Sequence, residues 1–202
     1  MRRHNRVDPF GNIIASGFRG AFMGNRGVLH DDTGTIVRRQ ATRSWIICRL
    51  EFKGRRRRLL QPGRWTELFF WDEVTALAAG HRPCFECRRQ DAVRFRDLFR
   101  EVTGDVTAGA PAIDRRLATE RGALGSPPRV GVAVLTAVAA RLPEHAMVLH
   151  DGLPHVLTQG QLRPWNETGY GAATALPTGQ VPVITPATTV AILAAGYQPL
   201  MV

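Results

Sequence analysis

Lysine is almost absent from this chain. Lys53 is the only one, so nearly all of the basic complement is arginine. Cysteine is scarce as well, with three residues, Cys48, Cys84 and Cys87. An odd count excludes a fully paired disulfide framework. No apolar run approaches the roughly 18–20 residues of a membrane span, so no membrane partner is expected. Met1-Arg2-Arg3-His4-Asn5-Arg6 leads into no apolar segment, so an export signal is not expected and a reducing cytoplasm is. The sequence also lacks a His-Glu-x-x-His helix, a Gly-rich phosphate loop and a nucleophile elbow.

What is present is positive charge on a chain long enough to bury a core. Of its 202 residues, 27 are basic and 17 acidic, a formal charge of +10. Guanidinium groups match phosphate oxygens in bidentate fashion, so an arginine excess of this size favours polyanions. The densest run is Arg55-Arg56-Arg57-Arg58. With Arg82, Arg88 and Arg89 it makes a candidate phosphate-binding face, whose bland counterpart is a solvated surface.

The pattern along the chain predicts an α+β fold with a small zinc-bound α/β N-terminal domain, a linker and a β-rich C-terminal region. Residues 1–27, rich in Gly, Arg and Asn, read as irregular. Val28 to His30 and Thr35 to Arg38 read as a hairpin around an Asp- and Gly-containing turn, and Ser44 to Phe52 as a strand with Arg56 to Leu60 as its return. Leu68 to Trp71 is apolar. Asp72 then reads as the N-cap of a helix over Val74 to Ala79, with Gly80 as its stop. Gln90 to Glu101 carries an apolar stripe at helical spacing. Residues 103–130 read as a linker with a helix over Ile113 to Arg121, and Gly131 to Arg141 as a further helix. Short strands follow at Met147 to His150, His155 to Thr158, Gln161 to Trp165 and Val181 to Ile184. This divides the chain into an N-terminal domain over 1–102, a linker over 103–145 and a C-terminal region over 146–202. Glu73 to Pro83 and Thr189 to Pro199 echo one another: an apolar helix, a glycine stop, a ring and a proline. One such short unit is better read as one local solution used twice than as a repeat.

Cys84-Phe85-Glu86-Cys87 has the spacing of a metal knuckle. A redox pair and plain buried cysteines are the other readings. A redox pair sits at a helix N-terminus after a strand, whereas here a helix ends just before Pro83 and Cys84. That suits a knuckle, and Cys48 at the end of Trp45-Ile46-Ile47 adds a third thiolate. The segment from Trp45 to Arg89 resembles the metal-binding domain of Ada-type adaptive-response proteins, which accept methyl groups from methyl phosphotriesters in DNA. The resemblance is carried by Ile46-Ile47-Cys48, by Phe69-Phe70, and by Glu73 to Gly80 followed by His81-Arg82-Pro83-Cys84-Phe85-Glu86-Cys87-Arg88. It covers about a quarter of the chain. It implies a zinc site, engagement of DNA, and a methyl-acceptor role for the position of Cys48.

The family's second cysteine falls on Phe52. A closed site needs four ligands. His30 is the first candidate for the fourth, ahead of His81, with Asp31, Asp32 and Asp72 behind. A histidine in place of a thiolate makes the remaining thiolates less nucleophilic. The leading expectation is therefore a zinc-binding protein that engages DNA, with a mainly structural zinc and a reactive Cys48 as its open question. The alternatives are a zinc-containing nuclease or hydrolase built on His30-Asp31 or His150-Asp151, and a zinc-stabilised protein-interaction module. His145, His150 and His155 share neither a helix face nor a strand face. Trp165 and Tyr170 read as core in preference to base-stacking rings.

Overall fold

The computed structural model describes residues 3–54, 58–121 and 136–202. The fold is α+β. Two short strands, β1 (His4–Val7) and β2 (Ile13–Ala15), open it, followed by β3 (Phe22–Asn25), β4 (Ile46–Cys48) and β5 (Leu68–Phe70). Helix α1 (Glu73–Ala78) leads to β6 (Arg82–Pro83), α2 (Arg89–Thr103) and α3 (Ala110–Arg121). The C-terminal part holds β7 (Thr136–Val138), β8 (Met147–His150), β9 (Leu153–Thr158), β10 (Gln161–Asn166), β11 (Gly169–Tyr170), β12 (Gln180–Pro182) and α4 (Ala187–Ala194).

A mixed sheet in the order β2-β1-β5-β3-β4-β6 forms the platform. Residues 1–27, expected to be irregular, supply three of its strands. They were illegible because each is only three or four residues long, and β1 and β3 carry polar or glycine positions in place of apolar alternation. Asn5, for example, is buried and donates to Glu67 O at 3.0 Å. The strand expected over Ser44 to Phe52 contracts to β4, flanked by β3 and β6. Arg55 to Arg57 lie outside the described residues, and 58–60 form no strand. The expected 28–38 hairpin is a turn with a single bridge, His30 to Ile36, closed by Asp31 accepting from Thr33 and Thr35 backbone N–H groups.

Asp72 caps α1 as its residue type dictates, accepting from Thr75 N at 2.8 Å. Gly80 ends the unit with φ +87°, where a side chain would be strained. The echo at the C-terminus is closed identically. His81 N donates to Ala76 O and Gly80 N to Leu77 O; Tyr197 N donates to Ile192 O and Gly196 N to Leu193 O. After α4 the tail turns back onto α1, where Leu200 O accepts from Glu73 N.

Of the helix expected over Gly131 to Arg141, the described part is β7, which pairs with β12, and a single 3-10 turn over Ala139–Arg141. β-branched residues and an available partner strand decide the matter there. Residues 131–135 lie outside the described residues. The four-stranded antiparallel sheet β11-β10-β9-β8 matches the expected C-terminal meander.

The apolar clusters run across the expected boundaries at 102 and 146. One joins Phe22, Ile47 and Phe70 of the platform to Phe95 and Leu98 of α2 and to Ile192 and Tyr197. Another joins Phe18 and Val74 to Met147, Val156, Trp165 and Ile184.

Candidate metal centre

β6 runs parallel to β4, with Arg82 N donating to Trp45 O and Cys84 N to Ile47 O. This pairing carries the knuckle alongside the strand that ends in Cys48. Gly24 on the other side of β4 sits where a Cβ would lie 2.0 Å from Ile46 O, so only glycine allows β3 this close. After Cys84 the chain turns, Arg88 N reaches Cys84 O at 3.0 Å, and α2 begins.

The result is a triangle of thiols. The sulfurs of Cys48, Cys84 and Cys87 all lie within 4.8 Å of one another, and all three residues are buried. Backbone N–H groups point at them: Glu86 N lies 3.4 Å from Cys84 Sγ, and the Arg49 N–H bonds Cys87. Three soft donors with N–H···S support suit a thiophilic divalent ion, and the centre can hold one.

Without a metal the thiols share protons unequally. Hydrogen bonds from Cys48 and Cys87 hold Cys84 far below the ordinary thiol range, to about 2. Cys48, donating to both partners and buried, is pushed far up. Cys87 is also raised: its hydrogen bond with Cys48 pulls it down, but Cys84 and burial outweigh that. An incoming ion therefore competes with protons for the sulfurs. Metal loading should release thiol protons, so apparent affinity should rise with pH near neutrality and fall as pH falls. Competition against a chromophoric chelator across that range checks this; an affinity independent of pH contradicts binding through the thiolates.

His30 is not brought to the sulfurs. It is buried, with Nδ1 bonded to Thr66 Oγ1 at 2.6 Å and Nε2 to Gln61 O at 3.2 Å. His81 is fully buried between Trp45 and Phe70 and faces Arg26, whose Nε lies 3.2 Å from its Nε2. Burial, then Arg26 and Arg121, push its pKa well down, so the ring is neutral. Asp31 caps its turn, and Asp72 caps α1 while its Oδ2 accepts from Tyr170 OH. Among the described residues, no second group of His, Cys, Asp and Glu gathers at metal-binding distance. His150 and His155 rings stand 5.4 Å apart on the outer sheet, and His150 Nε2 is 3.5 Å from Asp151.

Two of the arginines assigned to phosphate are spent inside the protein. Arg82 makes a bidentate pair with Asp114, with both hydrogen bonds at 2.9 Å. Arg88 pairs with Glu73 at 2.8 Å and with Asp91. Both are buried, and a buried guanidinium requires a carboxylate partner, a pairing that a charge count along the sequence cannot show. Arg58 and Arg89 are exposed, and Arg55, Arg56 and Arg57 lie outside the described residues.

What sequence reasoning missed is a cavity of about 450 Å³ that has the three cysteines in its wall. Phe52, Trp65 and Phe69 line it, together with Arg6, Arg19 and Arg49. Phe52 also packs directly against the sulfur cluster. The cavity walls come from β1, from the β4 end and from segments far apart in sequence, so no local motif encodes it. Among the described residues no helix is long and apolar enough to cross a membrane. No family model, curated protein or solved structure matches the chain, so the centre must be read from its own geometry.

Proposed function

We propose that Cys48, Cys84 and Cys87 hold a zinc ion and that the chain engages DNA through its phosphates beside that centre. The observation that carries this reading is the thiol triangle with the exposed Arg19, Arg49 and Arg58 beside it on the outer surface, where they can meet phosphates that stay outside the charge-balanced cavity. The donor chemistry supports zinc, which accepts thiolates without redox demands. The resemblance of residues 45–89 to Ada-type domains supports DNA as the polyanion and a zinc-bound N-terminal domain as its carrier. Net charge supports the same partner, and a cytoplasmic location is consistent with three unpaired cysteines. The set of phosphate-binding residues we propose differs from the sequence-based one. Arg19 and Arg49, both exposed at the cavity, replace the buried Arg82 and Arg88, while Arg58, exposed on the adjoining segment, is retained. Arg55, Arg56, Arg57 and Arg89 stay as candidates.

Binding to duplex DNA should weaken steeply with salt, because counterion release dominates such association. Replacing Arg19 and Arg49 by alanine should reduce the log–log salt slope by roughly 0.9 for each phosphate no longer neutralised, about 1.8 if both engage. Arg163→Ala on β10 should leave the slope unchanged. Absence of binding at low salt would remove DNA from the reading. Binding that keeps its slope in the Arg19/Arg49 variant would move the DNA-binding face elsewhere.

A second reading, a zinc hydrolase, is favoured by one feature: a cavity beside an incomplete ligand set is the arrangement of a metal site that keeps a position for water or substrate. Metal-dependent hydrolysis of a phosphodiester, abolished in Cys87→Ser, would promote it over the first.

A further inference from the structure

We infer that the fourth coordination position of this centre belongs to a small exogenous thiol, which enters the cavity and binds as its thiolate. The inference rests on the proposal that the three cysteines hold a metal, and goes beyond it by assigning the ligand that completes the site.

The first argument is a count of donors. Cys48, Cys84 and Cys87 are the only metal-competent group among the described residues. The remaining positions, 1–2, 55–57 and 122–135, contain no His, Cys, Asp or Glu. His30 and His81 are engaged elsewhere. Met23, which touches the cysteines, offers only a weak thioether. Glu51, Glu67 and Glu86 line the cavity, but none joins the sulfurs at ligand spacing, so the chain supplies three strong donors where a closed zinc site needs four.

The second argument is what stands on the open side. Phe52, Met23 and Ile46 pack against the sulfurs, so the position is bordered by apolar side chains. The same three residues and the cysteines line the cavity. Its volume, about 450 Å³, falls in the range of small-molecule sites. Nothing of this kind is needed around a structural knuckle.

The third argument concerns the ligand's chemistry. Arg6, Arg19 and Arg49 in the walls are matched in number by Glu51, Glu67 and Glu86. The walls thus do not select strongly for an anion, and a hard oxygen ligand gains little from apolar neighbours. A soft sulfur donor suits both the other three ligands and the apolar border. On binding, the S–H bond breaks, the sulfur electron pair forms the bond to the metal, and the proton leaves to solvent through the cavity mouth. No oxidation state changes. The bound sulfur is then a thiolate at neutral pH, which makes the cavity a place where a thiol is made nucleophilic.

The test uses the full-length chain loaded with Co(II) under anaerobic conditions. Adding 2-mercaptoethanol should raise the sulfur-to-cobalt charge-transfer absorption by about a third, as three Co–S bonds become four. Ethylene glycol, which has oxygen in place of that sulfur, and inorganic phosphate should leave the spectrum unchanged. Phe52→Cys should place a fourth thiolate on the chain, starting at four-sulfur intensity with no response to 2-mercaptoethanol. Phe52→Ala, which adds no donor but removes part of the apolar border, should start at three-sulfur intensity and reach the same final rise at a higher 2-mercaptoethanol concentration, and it covers the case in which Phe52→Cys misfolds. A wild-type spectrum that ignores 2-mercaptoethanol, or that answers ethylene glycol or phosphate equally, overturns the thiol assignment. Absence of any sulfur-to-cobalt band defeats the metal reading itself, so the two failures are told apart.

Discussion

Cys84→Ser is expected to abolish stoichiometric zinc binding and to destabilise the fold by most of what the metal contributes. Structural zinc supplies apparent free energies on the order of 10 kcal/mol or more. Cys84 stands at the join between β6 and α2, where its own N–H donates to Ile47 O and its carbonyl accepts from Arg88 N. Losing the ion should therefore loosen β6, β4 and the first turn of α2 together. Cys48→Ser and Cys87→Ser should behave alike, because all three sulfurs share one site. His30→Ala should leave metal content unchanged, since both ring nitrogens are bonded to Thr66 and Gln61. Elemental analysis combined with thermal unfolding checks this. One zinc retained per Cys84→Ser chain, or a freshly purified wild type that folds fully without zinc, would refute the assignment.

The second large effect is expected from Glu73→Ala. The Glu73 carboxylate ties the end of the knuckle to the C-terminal tail. It accepts from Arg88 Nη2 at 2.8 Å, from Tyr197 OH at 2.7 Å and from Leu200 N at 3.0 Å, with its side chain 1% exposed. Removing it leaves the Arg88 guanidinium, 2% exposed, with only the half-solvated Asp91 as an ion-pair partner. Breaking a buried pair from one side costs about 3–5 kcal/mol. For a chain of this size that is a fall in Tm of about 6–20 °C. Arg88 directly follows Cys87, so the same substitution should speed metal release to a chelator, although Glu73 touches no sulfur. The double change Glu73→Leu with Arg88→Met should recover much of the stability, because replacing both partners of a buried pair by apolar groups is often neutral. A Glu73→Ala protein with unaltered Tm and unaltered metal release would show that the tail and the knuckle are independent.

Much of the local structure was legible because it is made by near neighbours. Asp72 announces a helix start through its side chain's reach to Thr75 N, and Gly80 announces the stop through the positive φ the closing turn demands. The apolar stripe of α2 follows the helical period, and β8 to β10 are marked off by Asp151-Gly152 and Gly160, which take the positive φ of their turns. The spacing of Cys84 and Cys87 is itself the geometry of a knuckle. Strands β1 to β3 were not legible, because what holds them is pairing of β1 and β3 with β5, of β3 with β4 and of β2 with β1, rather than their own pattern.

By itself the sequence determined the α+β class, the two glycine-stopped helix–turn units, the Cys-x-x-Cys pair and the arginine excess, since each depends on residue type and short spacing. Only the tertiary structure decided which charges are free. Arg82 and Arg88 look like surface arginines until Asp114 and Glu73, distant in sequence or across α1, are found against them. It also decided that His30 stays with Thr66, that Phe52 rests on the sulfurs, and that a cavity opens beside them. Burial, pairing and empty space belong to surfaces meeting from separate parts of the chain, and no window along the sequence contains both sides of such a meeting.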